Sequence, residues 1–329
     1  MTGFVKPDRI ARCGWPIGMP VVQLVDGKAG FRNLEHCCSP WACSICSTII
    51  RAHRAGELRQ VVTAWTEQGH GLAFLTVTRP HTISEPLEVG LDRVQSGWRE
   101  LGASQKWRTL KQVYGIRHWV RSTEITWNLS HGWHAHIHAL LFLEDPDADV
   151  NGLGREIREL WSGLLSRDGG RPISRRHGVT CLPVATTPEQ VASYLSKSSD
   201  GISAELMRMD AKRGRKASLS PFQLLDQETI DQLGPGTARR LWLEYVAATH
   251  GRRSVTWSRK LRGELMPTRE RTDQEIIEAT IGGQDVIDMP AAQYRELRQA
   301  PNLLAHVLGL VETGEIPLAL DLLNTVHDE

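Results

Sequence analysis

Three histidines alternate along the segment from Gly132 to Leu143, which has the sequence GWHAHIHALLFL. Side chains alternate between the two faces of a β-strand, so His134, His136 and His138 would all point the same way. Adjacent imidazoles on one face crowd one another, and they would repel if they were protonated. A bound cation is the usual physical reason for such crowding, and the segment therefore predicts a metal site on a strand.

A carboxylate on the preceding strand completes the predicted metal site. The segment TEITWN is joined to the histidine strand by LSHG, whose small polar residues favour a turn. If the hairpin is centred near Ser130, Glu124 lies opposite His136, about 5 Å away at Cβ, whereas a one-residue bulge would turn Glu124 to the other face. His136 and His138 directly precede the apolar run and are preferred over His134 as ligands. Two imidazoles and one carboxylate leave coordination positions open, as a catalytic ion requires, and this mixed donor set suits Mn²⁺ or Mg²⁺.

A tyrosine near the start of a well-marked helix is the candidate nucleophile. The residues Thr187-Pro188-Glu189-Gln190 form a capping box with proline at the first helical position. Tyr194 then lies two turns into the helix, with Lys197 one turn further on the same side. A helical tyrosine is usually a core residue, but the lysine and the predicted metal site favour a chemical role. Holding a phenol as phenolate at pH 7 costs about 4 kcal/mol, which Lys197 and a divalent cation together could offset.

Five of the six cysteines lie within residues 1–46. In the segment CSPWACSIC, Cys43 and Cys46 have the spacing that lets two thiolates bind one ion. Cys37 cannot easily share a site with its neighbour Cys38 and is expected to be spare, with His36 as a weaker substitute ligand. The alternative is a group of buried cysteines that bind nothing. The predicted structural zinc site consists of Cys13, Cys38, Cys43 and Cys46.

The pattern of the remaining chain predicts an α+β fold. Helical spacing of apolar residues indicates helices over STIIRAHRAGELRQVVTAWTEQ and over residues 87–112, whereas GLAFLTVTRP and RHWVRSTEITWN are typical of strands. Strands separated by helices, with one tight hairpin among them, favour an α+β sheet domain over a doubly wound one. The predicted parts are a Cys-rich zinc-binding element over 1–50, a central domain over 51–262 and an acidic, mostly helical extension over 263–329.

The net charge of +1 conceals a strong asymmetry. Residues 1–262 hold 35 Lys/Arg and 25 Asp/Glu, whereas residues 263–329 hold 4 Lys/Arg and 13 Asp/Glu. The basic body suits a surface that faces phosphates. No apolar run is long enough to span a bilayer and the N-terminus has no apolar signal segment, so we expect a cytoplasmic protein without a membrane partner. The candidate DNA contacts are Arg171, Arg175, Arg176, Lys212, Arg213, Arg215, Lys216, Arg252 and Arg253.

Three segments in this order, FLTVTRP, WHAHIHALLFL and YLSK, resemble the motifs of rolling-circle replication initiators of the HUH endonuclease superfamily. The resemblance is strongest to the plasmid Rep proteins of Gram-positive bacteria, particularly actinobacterial ones. It extends to CSPWACSIC near the N-terminus and to SPFQLL, LWLEY and HGRRSVTWSRKLR further along the chain. It implies an HUH endonuclease fold, in which helices flank a central antiparallel sheet and the tyrosine helix packs over the metal.

The resemblance also implies roles at the matching positions. Tyr194 matches the nicking tyrosine, which becomes bonded to a DNA 5′-phosphate, and Lys197 matches the lysine that follows it. Some relatives place a glutamate four residues before the tyrosine to activate water at termination; here that position is Gln190, and Glu189 is the neighbouring candidate. The implied partners are single-stranded or cruciform DNA at a replication origin and the host helicase and polymerase. The implied metal ligands are Glu124, His136 and His138.

Other functional classes stay open at this point. A single-tyrosine HUH transposase or a plasmid-mobilising relaxase would use the same chemistry. A zinc hydrolase could also begin with His-x-His, but it would need further ligands downstream, where only His177 and His250 are available. A zinc-containing DNA-binding regulator would explain the cysteines and the basic body, but not the histidine strand or Tyr194.

Overall fold

A computed structural model describes residues 7–166, 172–174, 178–184, 218–266 and 268–325. The chain forms two compact units. The sheet unit contains Arg51–Glu270, and the terminal unit combines Met1–Ile50 with Arg271–Glu329. The three-part division predicted from the sequence stays a prediction. Among the helices of the described ranges, none is both long enough and apolar enough to cross a membrane.

The described ranges contain β-strands and α-helices in mixed order, with a 3₁₀ turn at Pro221–Leu225. The strands are β1 (Pro16–Val25), β2 (Lys28–Leu34), β3 (Gly71–Val77), β4 (Ile116–Asn128), β5 (Gly132–Leu143), β6 (Val179–Val184), β7 (Ser218–Leu219), β8 (Val255–Trp257) and β9 (Gln284–Asp288). The helices are α1 (Pro7–Ala11), α2 (Ser44–Thr66), α3 (Leu87–Ala103), α4 (Gln105–Val113), α5 (Val150–Ser166), α6 (Gln227–Leu233), α7 (Pro235–Thr249), α8 (Leu261–Leu265), α9 (Asp273–Glu278), α10 (Ala291–Leu297), α11 (Pro301–Glu312) and α12 (Ile316–Thr325).

An antiparallel six-stranded sheet forms the centre of the sheet unit. Its strands follow the order β6-β3-β5-β4-β7, and β8 also pairs with β4. The β4–β5 hairpin is the longest pairing, with Asn128 opposite Gly132 at the turn and Ile116 opposite Leu143 at the far end. The predicted α+β class, with an antiparallel sheet and flanking helices, is confirmed.

One face of the sheet is covered by α2 over part of its length. Leu58, Val62 and Trp65 recur at helical spacing and are buried, because they form one stripe of α2 that faces the sheet. They pack in one core cluster with Leu140 and Phe142 of β5. In β5 these two residues lie on the same face as the three histidines. The hydrophobic core therefore continues directly into the histidine-bearing end of the strand.

The opposite side of the sheet unit contains α3 and α5, which approach each other closely. A Cβ added at Gly97 of α3 would lie 2.9 Å from the Trp161 ring of α5, so only glycine fits this contact without movement. The Trp161 indole donates a hydrogen bond of 2.7 Å to the carbonyl of Thr78, at the end of β3. The contact between α5 and the end of β3 thus helps to fix β3, the strand that pairs with the histidine-bearing β5.

The region predicted as one helical stretch over 87–112 is divided in the structure. Its apolar residues do follow helical spacing, but α3 ends at Ala103 and α4 begins at Gln105. Ser104 lies between them in an extended conformation, and its hydroxyl accepts a hydrogen bond of 3.1 Å from the amide of Trp107. The serine therefore acts as the N-cap of a second helix.

The terminal unit is built from both ends of the chain. Its three-stranded antiparallel sheet has the order β2-β1-β9, with Val22 opposite Ile287. Leu297, Val311 and Leu323 of the following helices are buried in the same core cluster. The acidic extension is thus not only helical, because it supplies the strand β9 to a sheet that the N-terminal strands begin.

Candidate metal centres and catalytic residues

The β4–β5 hairpin brings Glu124, His136 and His138 together. Glu124 lies directly opposite His136, which is the register predicted from a turn centred near Ser130. The Oε2 atom of Glu124 is 2.8 Å from Nε2 of His136 and 2.7 Å from Nε2 of His138. The two Nε2 atoms are 3.0 Å apart. Three potential ligand atoms therefore converge on one point of the sheet surface.

The turn that sets this register is fixed by local contacts. The side-chain oxygen of Asn128 accepts a hydrogen bond of 2.8 Å from the amide of Ser130. Gly132 has a φ of +73°, which a residue with a side chain adopts only under strain. A Cβ at Gly132 would also lie 2.7 Å from the carbonyl oxygen of Ile83. Glycine is therefore required where the strand of histidines begins.

The electrostatics of the group favour an ionised carboxylate at Glu124. Burial alone would raise the pKa of Glu124, but hydrogen bonds with His136 and His138 outweigh it and hold the pKa well below its usual range. A metal ion requires deprotonated ligands, so this carboxylate is ready to bind one. Two imidazoles and one carboxylate fit a divalent cation with coordination positions left for a substrate.

The third histidine of the strand lies beside this group rather than in it. The His134 ring centroid is 4.9 Å from that of His136 and 4.8 Å from that of His81. Burial lowers the pKa of His134 to about 3, so the ring is neutral at pH 7. Within the described part of the chain, its Nε2 atom has no hydrogen-bond partner. The geometry therefore groups His136 and His138, and not His134, with Glu124.

One residue close to the metal group was missed in the sequence. Thr76 of β3 lies opposite His138 of β5, and its hydroxyl oxygen is 2.9 Å from Nδ1 of His138. A threonine in an apolar strand is common, so its type alone gives no indication of a role. Only the pairing of β3 with β5, which the sequence does not specify, would have revealed the contact.

A second group of potential metal ligands lies in the terminal unit. The Sγ atom of Cys13 is 3.3 Å from that of Cys43 and 3.5 Å from that of Cys46. Cys37 joins the group with its sulfur 3.9 Å from that of Cys46. All four side chains are buried. Four cysteine sulfurs within reach of one point are the donor set of a structural zinc site.

The structure corrects the predicted ligand set, in which Cys38 was a ligand and Cys37 was spare. Cys38 has a φ of +56°, a left-handed conformation that turns successive side chains in different directions. Its sulfur lies 3.9 Å from the carbonyl oxygen of His36 and outside the group. Cys37 and Cys38 are adjacent, so their spacing to Cys43 and Cys46 does not show which of them is the ligand. The left-handed backbone at Cys38 places only the Cys37 sulfur in the group.

The four-cysteine group is held by hydrogen bonds and favours a thiolate. Hydrogen bonds from the other thiols, Cys37 foremost, lower the pKa of Cys13 far below its usual range. The backbone that follows this side chain is anchored by α10 and its C-cap residue. Arg298 donates to the carbonyl of Cys13 at 3.1 Å, and the Tyr294 hydroxyl donates to that of Gly14 at 3.2 Å. The N-terminal cysteine is thus positioned by the C-terminal extension.

Most of the remaining predicted residues lie outside the described ranges, and the structure does not test them. They are the predicted catalytic residues Tyr194, Lys197 and Glu189 and the candidate DNA contacts Arg171, Arg175, Arg176, Lys212, Arg213, Arg215 and Lys216.

The two candidate DNA contacts that are described differ from each other. Arg252 has an ion pair of 2.8 Å with Asp92 and donates at 2.6 Å to the carbonyl of Ala248, so its guanidinium is largely used within the protein. The Arg253 side chain is 74% exposed, with an ion pair at 4.0 Å to Glu270. Arg253 is therefore the more available of the two to a phosphate.

Comparison with known proteins relates the chain to replication proteins. Residues 31–146 match the sequence model of a family described as "Replication protein". The chain is 26% identical over 307 residues to "Protein rep" of Streptomyces lividans, an alignment that covers 75% of this chain and 67% of that protein. The matched segment includes β3, β4 and β5 and hence the Glu124 group.

A second relative matches over a shorter stretch. "Neomycin resistance protein" of Streptomyces cyanogenus is 27% identical over 150 residues, which is 38% of this chain and 34% of that protein. No solved structure matches. The family match and the first relative bear out the resemblance to replication proteins.

Proposed function

Because the chain is similar to replication proteins, we propose that it initiates rolling-circle replication of a plasmid by nicking and rejoining single-stranded DNA. The observation that carries the proposal is the convergence of Glu124, His136 and His138 on one face of the sheet. A mixed group of two imidazoles and one carboxylate is the donor set expected for an ion that polarises a phosphate. The order of the three motifs, which follows the HUH endonuclease pattern, supports the same function.

The metal in this proposal is Mn²⁺ or Mg²⁺. Held by Glu124, His136 and His138, such an ion would withdraw charge from the scissile phosphate and make the phosphorus easier to attack. Glu124 supplies a carboxylate that is ionised at neutral pH. His136 and His138 supply Nε2 atoms within 3.0 Å of each other, close enough to bind one ion.

Tyr194 is the proposed nucleophile. Its phenol oxygen forms a bond to the phosphorus and the bond from phosphorus to the 3′ oxygen of the preceding nucleotide breaks, leaving a 5′-phosphotyrosine and a free 3′ hydroxyl. The phenol proton leaves to solvent or base, Lys197 stabilises the phenolate, and the departing 3′ oxygen takes up a proton from solvent. One phosphodiester is exchanged for another of similar energy, so the strand can be resealed, and Glu189 is the proposed base for a water that ends the cycle.

The proposed partners follow from this chemistry. DNA at the origin, single-stranded or extruded as a cruciform, contacts the basic residues of the body, among which Arg253 is exposed. A host helicase separates the strands and a host polymerase extends the free 3′ hydroxyl. The proposed place of action is the cytoplasm.

For the terminal unit we propose a structural zinc ion bound by Cys13, Cys37, Cys43 and Cys46. The four sulfurs are buried and no further position is needed for a substrate, which suits a structural rather than a catalytic ion. The other group, which contains Glu124, is the one proposed for catalysis.

A covalent adduct tests the proposed function. The purified full-length protein is incubated with Mn²⁺ and 3′-labelled single-stranded oligonucleotides that tile the DNA around its gene, and the products are separated on a denaturing gel. We expect a labelled protein band from the wild type and none from Tyr194→Phe. Tyr114→Phe, which removes the same hydroxyl from a described tyrosine outside the site, is the matched control and should retain the adduct.

The other outcomes identify the alternatives. An adduct that persists in Tyr194→Phe refutes the assignment of the nucleophile. Cleavage without any adduct favours a hydrolase, and binding without cleavage favours a DNA-binding regulator. An adduct formed only on transfer-origin or transposon-end DNA favours a relaxase or a transposase.

A further inference from the structure

Thr76 makes a direct contact with one of the proposed metal ligands. Its hydroxyl oxygen is 2.9 Å from Nδ1 of His138, the ring nitrogen that points away from Glu124. The contact joins two neighbouring strands, because Thr76 lies opposite His138 in the β3–β5 pairing. The backbone that carries Thr76 is paired on its other side to β6, where Thr180 is the opposite residue.

The direction of this hydrogen bond follows from the requirements of metal binding. A neutral imidazole carries a proton on only one nitrogen, and the other nitrogen has the lone pair that binds a metal. The Nε2 atom of His138 faces Glu124 at 2.7 Å and His136 at 3.0 Å, so it would be the ligand atom. With the metal bound at Nε2, the proton would lie on Nδ1, and Nδ1 would donate to the hydroxyl oxygen of Thr76.

The two histidine ligands differ in this respect. Within the described residues, Nδ1 of His136 is buried without a hydrogen-bond partner. The His138 ring, by contrast, is held by Thr76 and packs against Phe74, with ring centroids 5.2 Å apart. His138 is therefore the ligand whose ring orientation and proton position the protein fixes in advance.

We infer that Thr76 is a positioning residue for the metal centre. By accepting the Nδ1 proton of His138, it selects the tautomer that leaves Nε2 free and makes that nitrogen a better donor. This inference rests on the metal site of the proposed function, but it assigns a role to the segment FLTVTRP that the proposed chemistry does not require. In this role the threonine acts through His138, whose Nδ1 atom its hydroxyl contacts.

Metal affinity measures this role directly. Mn²⁺ is titrated into the metal-free full-length protein in a calorimeter, for the wild type, Thr76→Val and Thr76→Ser. Loss of a hydrogen-bond partner behind a histidine ligand typically weakens metal binding by about 10- to 100-fold, which we expect for the isosteric valine. The Thr76→Ser variant retains the hydroxyl, so its Mn²⁺ affinity should stay within a few-fold of that of the wild type.

A matched control separates positioning from strand stability. Thr180→Val makes the same substitution one strand away, at an exposed position opposite Thr76, and should leave the Mn²⁺ affinity unchanged. The melting temperature in EDTA should be similar for Thr76→Val and the wild type, because valine suits a strand. In ¹⁵N NMR spectra of the metal-free protein, His138 should be protonated at Nδ1 in the wild type and shift towards the other tautomer in Thr76→Val.

The results distinguish this inference from the proposed function. Thr76→Val with wild-type Mn²⁺ affinity would overturn the inference, and so would equal losses in the valine and serine variants. A wild-type protein that binds Mn²⁺ but forms no DNA adduct would refute the nicking proposal and leave the role of Thr76 supported by the titration. A wild-type protein that binds no Mn²⁺ overturns both.

Discussion

Replacement of Cys37 by serine should remove the zinc ion from the terminal unit, whereas replacement of Cys38 should not. The two residues are adjacent and carry the same side chain, so the variants differ only in which sulfur is lost. Cys37 belongs to the buried group of four sulfurs, and Cys38 lies outside it. The two variants therefore test directly whether Cys37 or Cys38 is the fourth zinc ligand.

The geometry shows how closely the group fits zinc. A tetrahedral ion with zinc–sulfur bonds of about 2.3 Å requires sulfurs about 3.8 Å apart. The sulfur of Cys13 is 3.3 Å from that of Cys43 and 3.5 Å from that of Cys46, and the sulfur of Cys37 is 3.9 Å from that of Cys46. The sulfurs need to move by only a few tenths of an ångström, an estimate from the same bond length.

The expected loss of affinity follows from the usual strength of such sites. Structural zinc sites with four ligands bind with about 10–16 kcal/mol, so one ligand contributes about 2.5–4 kcal/mol if the contributions are shared equally. Since 1.4 kcal/mol corresponds to a factor of ten, Cys37→Ser should weaken zinc binding by about 100- to 1,000-fold. The zinc affinity of Cys38→Ser should stay within a few-fold of that of the wild type, which is a change in binding free energy below about 1 kcal/mol.

Two measurements test the prediction. The zinc content per chain is determined by mass spectrometry after purification under reducing conditions, and the affinity by competition with a chromophoric chelator. We expect about one zinc ion per chain in the wild type and in Cys38→Ser, as one four-ligand site implies, and much less in Cys37→Ser. Loss of zinc from Cys38→Ser with retention in Cys37→Ser would refute the ligand set, and a wild type without zinc would refute the site.

Three further predictions follow from the described contacts. Mn²⁺ at 100 times its dissociation constant should stabilise the wild type by about 2.7 kcal/mol and raise its melting temperature. Glu124→Gln should abolish this stabilisation, and an equal rise in the melting temperature of the variant would contradict the metal site. Gly97→Ala places a methyl group 2.9 Å from Trp161 and should destabilise the fold by about 1–3 kcal/mol in urea unfolding, whereas Gly102→Ala in the same helix, with open space around it, should not. Burial would raise the pKa of Glu57, but hydrogen bonds from Arg262 and Arg54 lower it overall. The stabilising effect of Glu57 is therefore present above its usual pKa of 4.5 and is lost as the pH falls through the lowered pKa. The Glu57→Gln variant should lose less stability on acidification below this value, and an unchanged slope of stability against pH would refute this.

The metal hairpin could be predicted because its information is local. A two-residue alternation fixes the face of His136 and His138, and a turn of a few residues fixes the partner of each strand position. With the turn centred near Ser130, the pairing of Glu124 with His136 follows by counting. The structure has this register.

Features that depend on contacts between distant segments could not be predicted in the same way. The position of Thr76 beside His138 depends on which strands are neighbours in the sheet, and periodicity does not encode that order. The choice of Cys37 over Cys38 depends on one left-handed residue in a loop. The break at Ser104 competes with a continuous helical pattern, and a serine alone does not decide between a cap and a helix interior.

The construction of the terminal unit from both chain ends has a consequence for synthesis on the ribosome. Residues 1–50 emerge first, but the strand β9 and the buried Leu297, Val311 and Leu323 that complete their core are added only after Arg51–Glu270. At about 5–20 residues per second, this intervening segment takes roughly 10–45 s to translate. During that interval β1 lacks its β9 partner and Val22 lacks the core residues that later cover it, so we expect this segment to need protection by a chaperone.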